Sequence, residues 1–191
     1  MKADLPDPGK EMTMKQGSVS WCAAAAAVLL LTLSSCMEYQ ELELPALRAG
    51  EINAQVLWQR MTVETDYTRY EYWPEHEGMR LGQSPHGAFH RIFVNNALIT
   101  GLPSEDRKAP EGSIIVKENY DIDENLMALT IMAKVPGFDP ENGDWFWARY
   151  SPDGEILAEG SLMGCITCHA GAAFNDYVIV GNLRRDPDAG P

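Results

Sequence analysis

The residues with the most chemistry in them lie late in the chain, in the stretch GCITCHAG at 164–171. Cys165 and Cys168 are separated by two residues, and His169 follows the second thiol directly. On a helix, positions i, i+3 and i+4 share one face, so the three side chains converge. Three chemistries use such a trio. The thiols can add across the vinyl groups of a haem while the histidine binds its iron from the proximal side. A zinc ion can be held, although a structural site wants four ligands and usually a second pair at comparable spacing. A dithiol of this spacing can also cycle with its disulfide, normally at the start of a helix early in a βαβ unit.

The rest of the chain favours the first chemistry. His76, His86 and His90 are the only other histidines, and there is no second cysteine pair to complete a zinc site. The motif follows a strand-rich region instead of opening an α/β unit, which argues against a redox dithiol. Gly164 leaves room for a porphyrin to approach. Neither Met nor His occurs after His169. A sixth iron ligand must therefore come from upstream, with Met127, Met132 and His90 as examples, or the distal position stays open. The late placement of the motif favours ligand chemistry over simple electron transfer.

The other two cysteines sit in the N-terminal region, in WCAAAAAVLLLTLSSC at 21–36. The apolar run Ala23 to Leu33 is shorter than the ~20 residues a membrane span needs. It matches the hydrophobic region of a signal peptide, with Lys15 as the nearby positive charge. Leu33, two serines and Cys36 resemble a bacterial lipobox, in which the cysteine is lipidated and becomes the new N-terminus. Several acyl chains give the multiple insertions that stable anchoring requires. The expected organisation is a signal peptide with lipobox at 1–36, a tether running into a helix at 37–62, and a haem domain at 63–191. The chain is thus expected to be exported and lipid-anchored, in the periplasm or cell envelope of a bacterium. A haem added to reduced thiols outside the cytoplasm fits that route.

Of 191 residues, 45% are hydrophobic, enough for one domain with a packed core. Lys and Arg number 15 against 28 Asp and Glu, a net charge of −13, so nucleic acid is excluded as a partner for want of a basic footprint. The elements that must position the motif are strands. FHRIFV alternates, with His90, Ile92 and Val94 on one face and Phe89, Arg91 and Phe93 on the other. NNALITG reads as a short helix leaving that strand. GSIIVKENY sets Ile115 and Lys117 on one side and Ile114, Val116 and Glu118 on the other. In LMALTIMAKV an apolar face of Met127, Leu129, Ile131, Ala133 and Val135 opposes Thr130 and Lys134. DWFWARY turns through Pro152, Asp153 and Gly154 into EILAEG, a hairpin. The predicted fold is α+β: an antiparallel sheet with a few helices packed on it and a C-terminal helix or loop carrying the motif.

These segments together resemble the cytochrome P-460 family, which includes the β-type cytochromes c′. The resemblance runs from about Tyr67 to Val180 and rests on SPHGAFHRIFVNN, GSIIVKENY, MAKVPGFDPENGDWFWARYSPDG and GCITCHAGAAFNDYV. It implies a periplasmic protein with one covalent haem c, commonly a homodimer, held through Cys165, Cys168 and His169. Cytochromes P-460 oxidise hydroxylamine and bear an added bond from a lysine to a haem meso carbon. Lys117 matches that lysine by its IIVKE context, with Lys134 a weaker alternative. The β-type cytochromes c′ lack the bond and bind nitric oxide or carbon monoxide. His90 or Arg91 is expected to reach an iron-bound nitrogen oxide from the distal side. No distal carboxylate maps, because Glu118 lies on the wrong alternation relative to Lys117. Hydroxylamine oxidation is the first expectation, with an electron-transfer partner that the sequence does not identify. Gas binding is the second, and a lipid-anchored electron carrier is the third.

Overall fold

The computed structural model describes residues 44–184. The signal peptide, the lipobox with Cys36 and the first part of the tether lie outside the described residues. Among the described residues no helix is long and apolar enough to cross a membrane.

Helix α1, Ala54–Gln59, starts at Asn53, whose side chain accepts the Val56 amide at 2.9 Å and so satisfies one of the free donors of the first turn. It continues as a wider helical turn over Arg60–Glu64. The helix expected at the end of the 37–62 segment does not reach back to residues 49 and 50. Ala49 and Gly50 are instead spent in a turn in which the Glu51 amide bonds to the Arg48 carbonyl at 3.0 Å.

Among the described residues seven strands form one antiparallel sheet: β1 Glu71–Tyr72, β2 Arg80–Leu81, β3 Phe89–Val94, β4 Ile114–Tyr120, β5 Leu126–Lys134, β6 Trp145–Tyr150 and β7 Ile156–Gly160. The order is β1-β3-β4-β5-β6-β7, and β2 pairs with the other end of β3. From β3 onward each strand pairs with the next in sequence. The β6–β7 connection is the expected tight turn, with Gly154 at φ +87° and its amide bonded to the Ser151 carbonyl at 3.0 Å. The expected short helix, α2 at Asn96–Thr100, leaves β3. Its cap residue Asn95 also accepts the Ile114 amide at 2.9 Å and thereby ties β3 to β4.

Both faces of the sheet are covered. On one face α1 packs Ala54, Leu57 and Met61 against Phe93, Val116, Leu129, Ile131, Phe146 and Tyr150. On the other, Leu98 of α2, Ile166 of helix α3 (Met163–His169), Val178 and Leu183 meet Ile92, Ile115, Met132, Trp145 and Trp147. The predicted α+β class therefore holds. Each buried aliphatic or aromatic side chain contributes about 1.5–3 kcal/mol through removal from water.

The apolar face expected on β5 is present except at its first member. The β4–β5 register jumps from the pair Asn119–Ala128 to Tyr120–Leu126, which leaves Met127 as the extra residue of a bulge. Met127 is consequently 57% exposed. The opposite side of β5 is also core, since Ala128, Met132 and Lys134 are buried there.

Candidate functional site

Helix α3 rides on the sheet through Ile166, which is buried, and Cys165, which is partly buried against the same cluster. Cys168 is exposed, and neither thiol is in a disulfide. Burial, helped by the neighbouring Cys168 thiol, pushes the Cys165 thiol upward and keeps it protonated. His169, in the last turn, completes the i, i+3, i+4 trio.

His169 is oriented twice over. Its ring meets the Trp147 indole edge-on, 4.7 Å between centres and 69° between planes. Its Nδ1 lies 2.8 Å from the Tyr177 carbonyl oxygen. A carbonyl can only accept, so Nδ1 carries the hydrogen and Nε2 keeps its lone pair. Burial is the main influence on the ring and lowers its pKa, opposed by the Tyr177 bond, with the Lys117 charge adding to the lowering. The ring is a neutral donor, as an axial metal ligand must be.

On the α3 face, β4 and β6 add Lys117 and Arg149, which lie opposite and next to Thr130 of β5. Burial pushes the Lys117 amine below its ordinary value, and among the described residues no carboxylate pairs with it. Asn119, two residues on, is 5% exposed. Its amide nitrogen donates to the Ala128 carbonyl and the Thr130 hydroxyl, both at 3.1 Å, while its Oδ1 has no partner.

One contributor escaped the sequence reading. His86 sits in the loop between β2 and β3, half-buried, with its amide bonded to the Gln83 carbonyl at 2.9 Å. Gly87, at φ +84°, lets this loop press against the Tyr120 carbonyl where a Cβ would collide. Burial, then the charges of Lys117, His169, Arg149 and His90, push His86 down to about 4. The Pro-His-Gly turn was the available signal, but nothing in strand alternation says where a loop side chain lands.

The remaining expected residues divide between the two faces. His90 shares the Lys117 face, as the cross-strand partner of Asn119, and its buried Nδ1 has no partner. It borders a depression of about 500 Å³ with His76, Met79, Arg80 and Leu81. Burial and the Lys117 charge hold it near 4. Arg91 points to the opposite face, 4.0 Å from Glu118 and 5.4 Å from the centre of the Tyr120 ring. Glu118 is there too, accepting the hydroxyls of Tyr67 at 3.0 Å and Tyr120 at 2.6 Å. The sheet thus separates Arg91 from Lys117 and His169. Lys134 is committed elsewhere, in a buried pair with Asp176 at 2.6 Å. Met132 is packed in the α3-face core and Met127 faces solvent.

The family model described as Cytochrome P460 matches residues 67–180, more than half of the chain. The chain belongs to the cytochrome P460 family. No curated protein matches it. Membership makes this a haem protein, with iron as its metal.

As a member of the cytochrome P460 family, the chain must offer its haem a ligand and partners for two acidic side chains, and the residues on the α3 face fit both needs. His169 Nε2 is free to bind iron, beside two unbonded thiols on the same helix. Trp147 Nε1 is buried, donates to nothing, and belongs to the ring that touches His169. A buried donor left without an acceptor is costly, about 1–3 kcal/mol, so an acceptor-bearing group is the natural complement. Lys117 and Arg149 likewise bring two basic side chains to this face, and among the described residues neither is in a salt bridge.

Proposed function

We propose that the protein carries one covalent haem c, attached through Cys165 and Cys168 with His169 Nε2 on the iron, and that it oxidises hydroxylamine or a closely related nitrogen oxide. When bound, the haem supplies an open coordination position and a one-electron redox couple. The observation that carries the substrate class is the set of unpaired acceptors on the Lys117 face. Asn119 Oδ1 has no donor, and His86 and His90, with pKa values near 4, are neutral at pH 7. Hydroxylamine brings N–H and O–H donors to such acceptors, and nitric oxide and carbon monoxide bring none.

The residues divide the work. Asn119 orients the substrate through its carbonyl. His86, a neutral ring at pH 7, takes up protons released as electrons leave. Lys117 has a lowered pKa and no counter-ion among the described residues, which raises the share of neutral, nucleophilic amine. Its bond to the porphyrin edge would replace an N–H and a ring C–H bond, with the two electrons passing to an added oxidant of the peroxide class.

The test joins structure to turnover. Protease digestion and mass spectrometry should find one haem linking the Lys117 peptide to the Cys165–His169 peptide, and hydroxylamine should reduce an added electron acceptor. Two separate peptides and no reduction would sink the oxidase reading. The gas-binding reading then stands second, favoured by the absence of a carboxylate beside Lys117 among the described residues, with Glu118 on the far face. It predicts a high-spin ferrous spectrum that changes with nitric oxide. A low-spin spectrum indifferent to added ligand points to the electron carrier.

We further propose that the protein is a lipid-anchored homodimer on the periplasmic side of a bacterial envelope. Cys36→Ser should release it from membranes, and the released form should run as a dimer in light scattering. Unchanged membrane association rules the anchor out.

A further inference from the structure

We propose that Lys134 is a positioning residue for the proximal side, acting through Asp176 and Tyr177 on the ring of His169. The inference rests on the reading of His169 as the iron ligand.

The carbonyl that orients His169 belongs to Tyr177, in a stretch of backbone that does not hold itself. Asp176 and Tyr177 both have left-handed backbone angles, φ +53° and +66°. Such angles are uncommon outside glycine, and two in succession persist only where the surroundings impose them. Lys134 Nζ supplies the imposition. It donates to Asp176 Oδ1 at 2.8 Å, to Oδ2 at 2.6 Å and to the Gly143 carbonyl at 2.6 Å, and it lies 5.1 Å from the centre of the Trp145 ring. The lysine is 9% exposed and the aspartate 6%, so water cannot replace either partner.

Asp176 is also gripped from other sides. Its Oδ2 accepts the Ala109 amide at 2.9 Å, and its carbonyl accepts Trp145 Nε1–H at 2.7 Å. Gly143 makes the close approach feasible, because a Cβ there would stand 3.0 Å from Asp176 Oδ1 and 3.1 Å from the Tyr177 ring. The next residue presents its carbonyl to His169 at 2.8 Å. Lys134 leaves the sheet at the end of β5, and the same sheet supports His169 through Trp147. The ion pair therefore fixes the acceptor of the Nδ1–H bond relative to the surface that fixes the ring. A hydrogen bond from Nδ1 raises the donor strength of Nε2, so the ion pair sets the strength and uniformity of the iron–histidine bond.

The test is resonance Raman spectroscopy of the haem-loaded ferrous protein, reading the iron–histidine stretch at matched haem content. Wild type and Lys134→Arg, which keeps a donor to Asp176, should give one narrow band at the same position. Lys134→Met should broaden the band and move it to lower wavenumber, because the Tyr177 carbonyl no longer holds one place. That variant leaves a carboxylate alone in the core, so Lys134→Met/Asp176→Leu is measured with it. The double variant keeps an uncharged, filled core and should show the same displacement. A band unmoved and equally narrow in the double variant overturns the proposal and leaves the pair as a staple of the fold. If wild type shows no such band, or if it survives His169→Gly, the assignment of His169 as ligand falls, and the proposal falls with it.

Discussion

The Trp147 indole and the His169 imidazole meet edge-on with 4.7 Å between ring centres, so helix α3 is braced by strand β6 of the sheet. Trp147 is 4% exposed and pairs with Met132 of β5 in register. Trp147→Ala should therefore cost about 3–5 kcal/mol of stability, as large-to-small core changes do. Trp147→Phe keeps a ring against His169 while giving up the N–H and the rest of the five-membered ring, and should cost less than the alanine variant. Urea midpoints of the two variants check the difference.

The proposed covalent attachment makes a sharp prediction for the thiols. In Cys165→Ala/Cys168→Ala the haem should leave the polypeptide in a denaturing gel, while each single variant keeps one thioether and retains it. Haem staining after electrophoresis reads the result. The exposed Cys168 and the half-buried Cys165 should both be needed for a fully linked population.

The histidines give a pH signature. His86 and His90 have pKa values pushed from the ordinary 6.5 to about 4 in the folded protein. Unfolded imidazoles take up protons as pH falls through 6.5, and the folded ones do so only near 4. The unfolded state binds more protons in that window, so the stabilisation is complete above pH 6.5 and is lost progressively toward pH 4. The thermal midpoint should fall over this range, and His86→Asn/His90→Asn should flatten the slope.

The β-bulge is testable by two methyl-deleting changes on one strand. Ile131 is 1% exposed, and Ile131→Ala should cost about 2–5 kcal/mol. Met127, extruded at the bulge, should tolerate Met127→Ala within about 0.5 kcal/mol. Equal costs would show that the register assigned between β4 and β5 is wrong.

Period-two alternation made much of this fold readable. It put Lys117 on one side and Glu118 on the other, and it separated His90 from Arg91, as the strands bear out. It carried no information on which side the motif helix would take, so Arg91 entered the site on paper and left it in space. The exposure of Met127 was hidden because one inserted residue at a bulge breaks the period without any mark in composition. Lys134 looked like a polar-face residue because its partner Asp176 lies far along the chain, in a segment with no regular pattern. Short-range periodicity reports faces of single elements. It does not report closure between them, and that is where His86 and Asp176 act.

The sheet from β3 to β7 is a meander in which each strand pairs with the one just before it, and α3 comes after all of them. A chain that emerges N-terminus first can therefore close every ladder of this platform while helix α3 is still to arrive. The surface bearing Lys117, Asn119 and Trp147 is then a finished template, and helix α3 with its thiols and imidazole is the closing piece. Under the proposed attachment, haem loading at the two thiols would then follow the closing of the sheet.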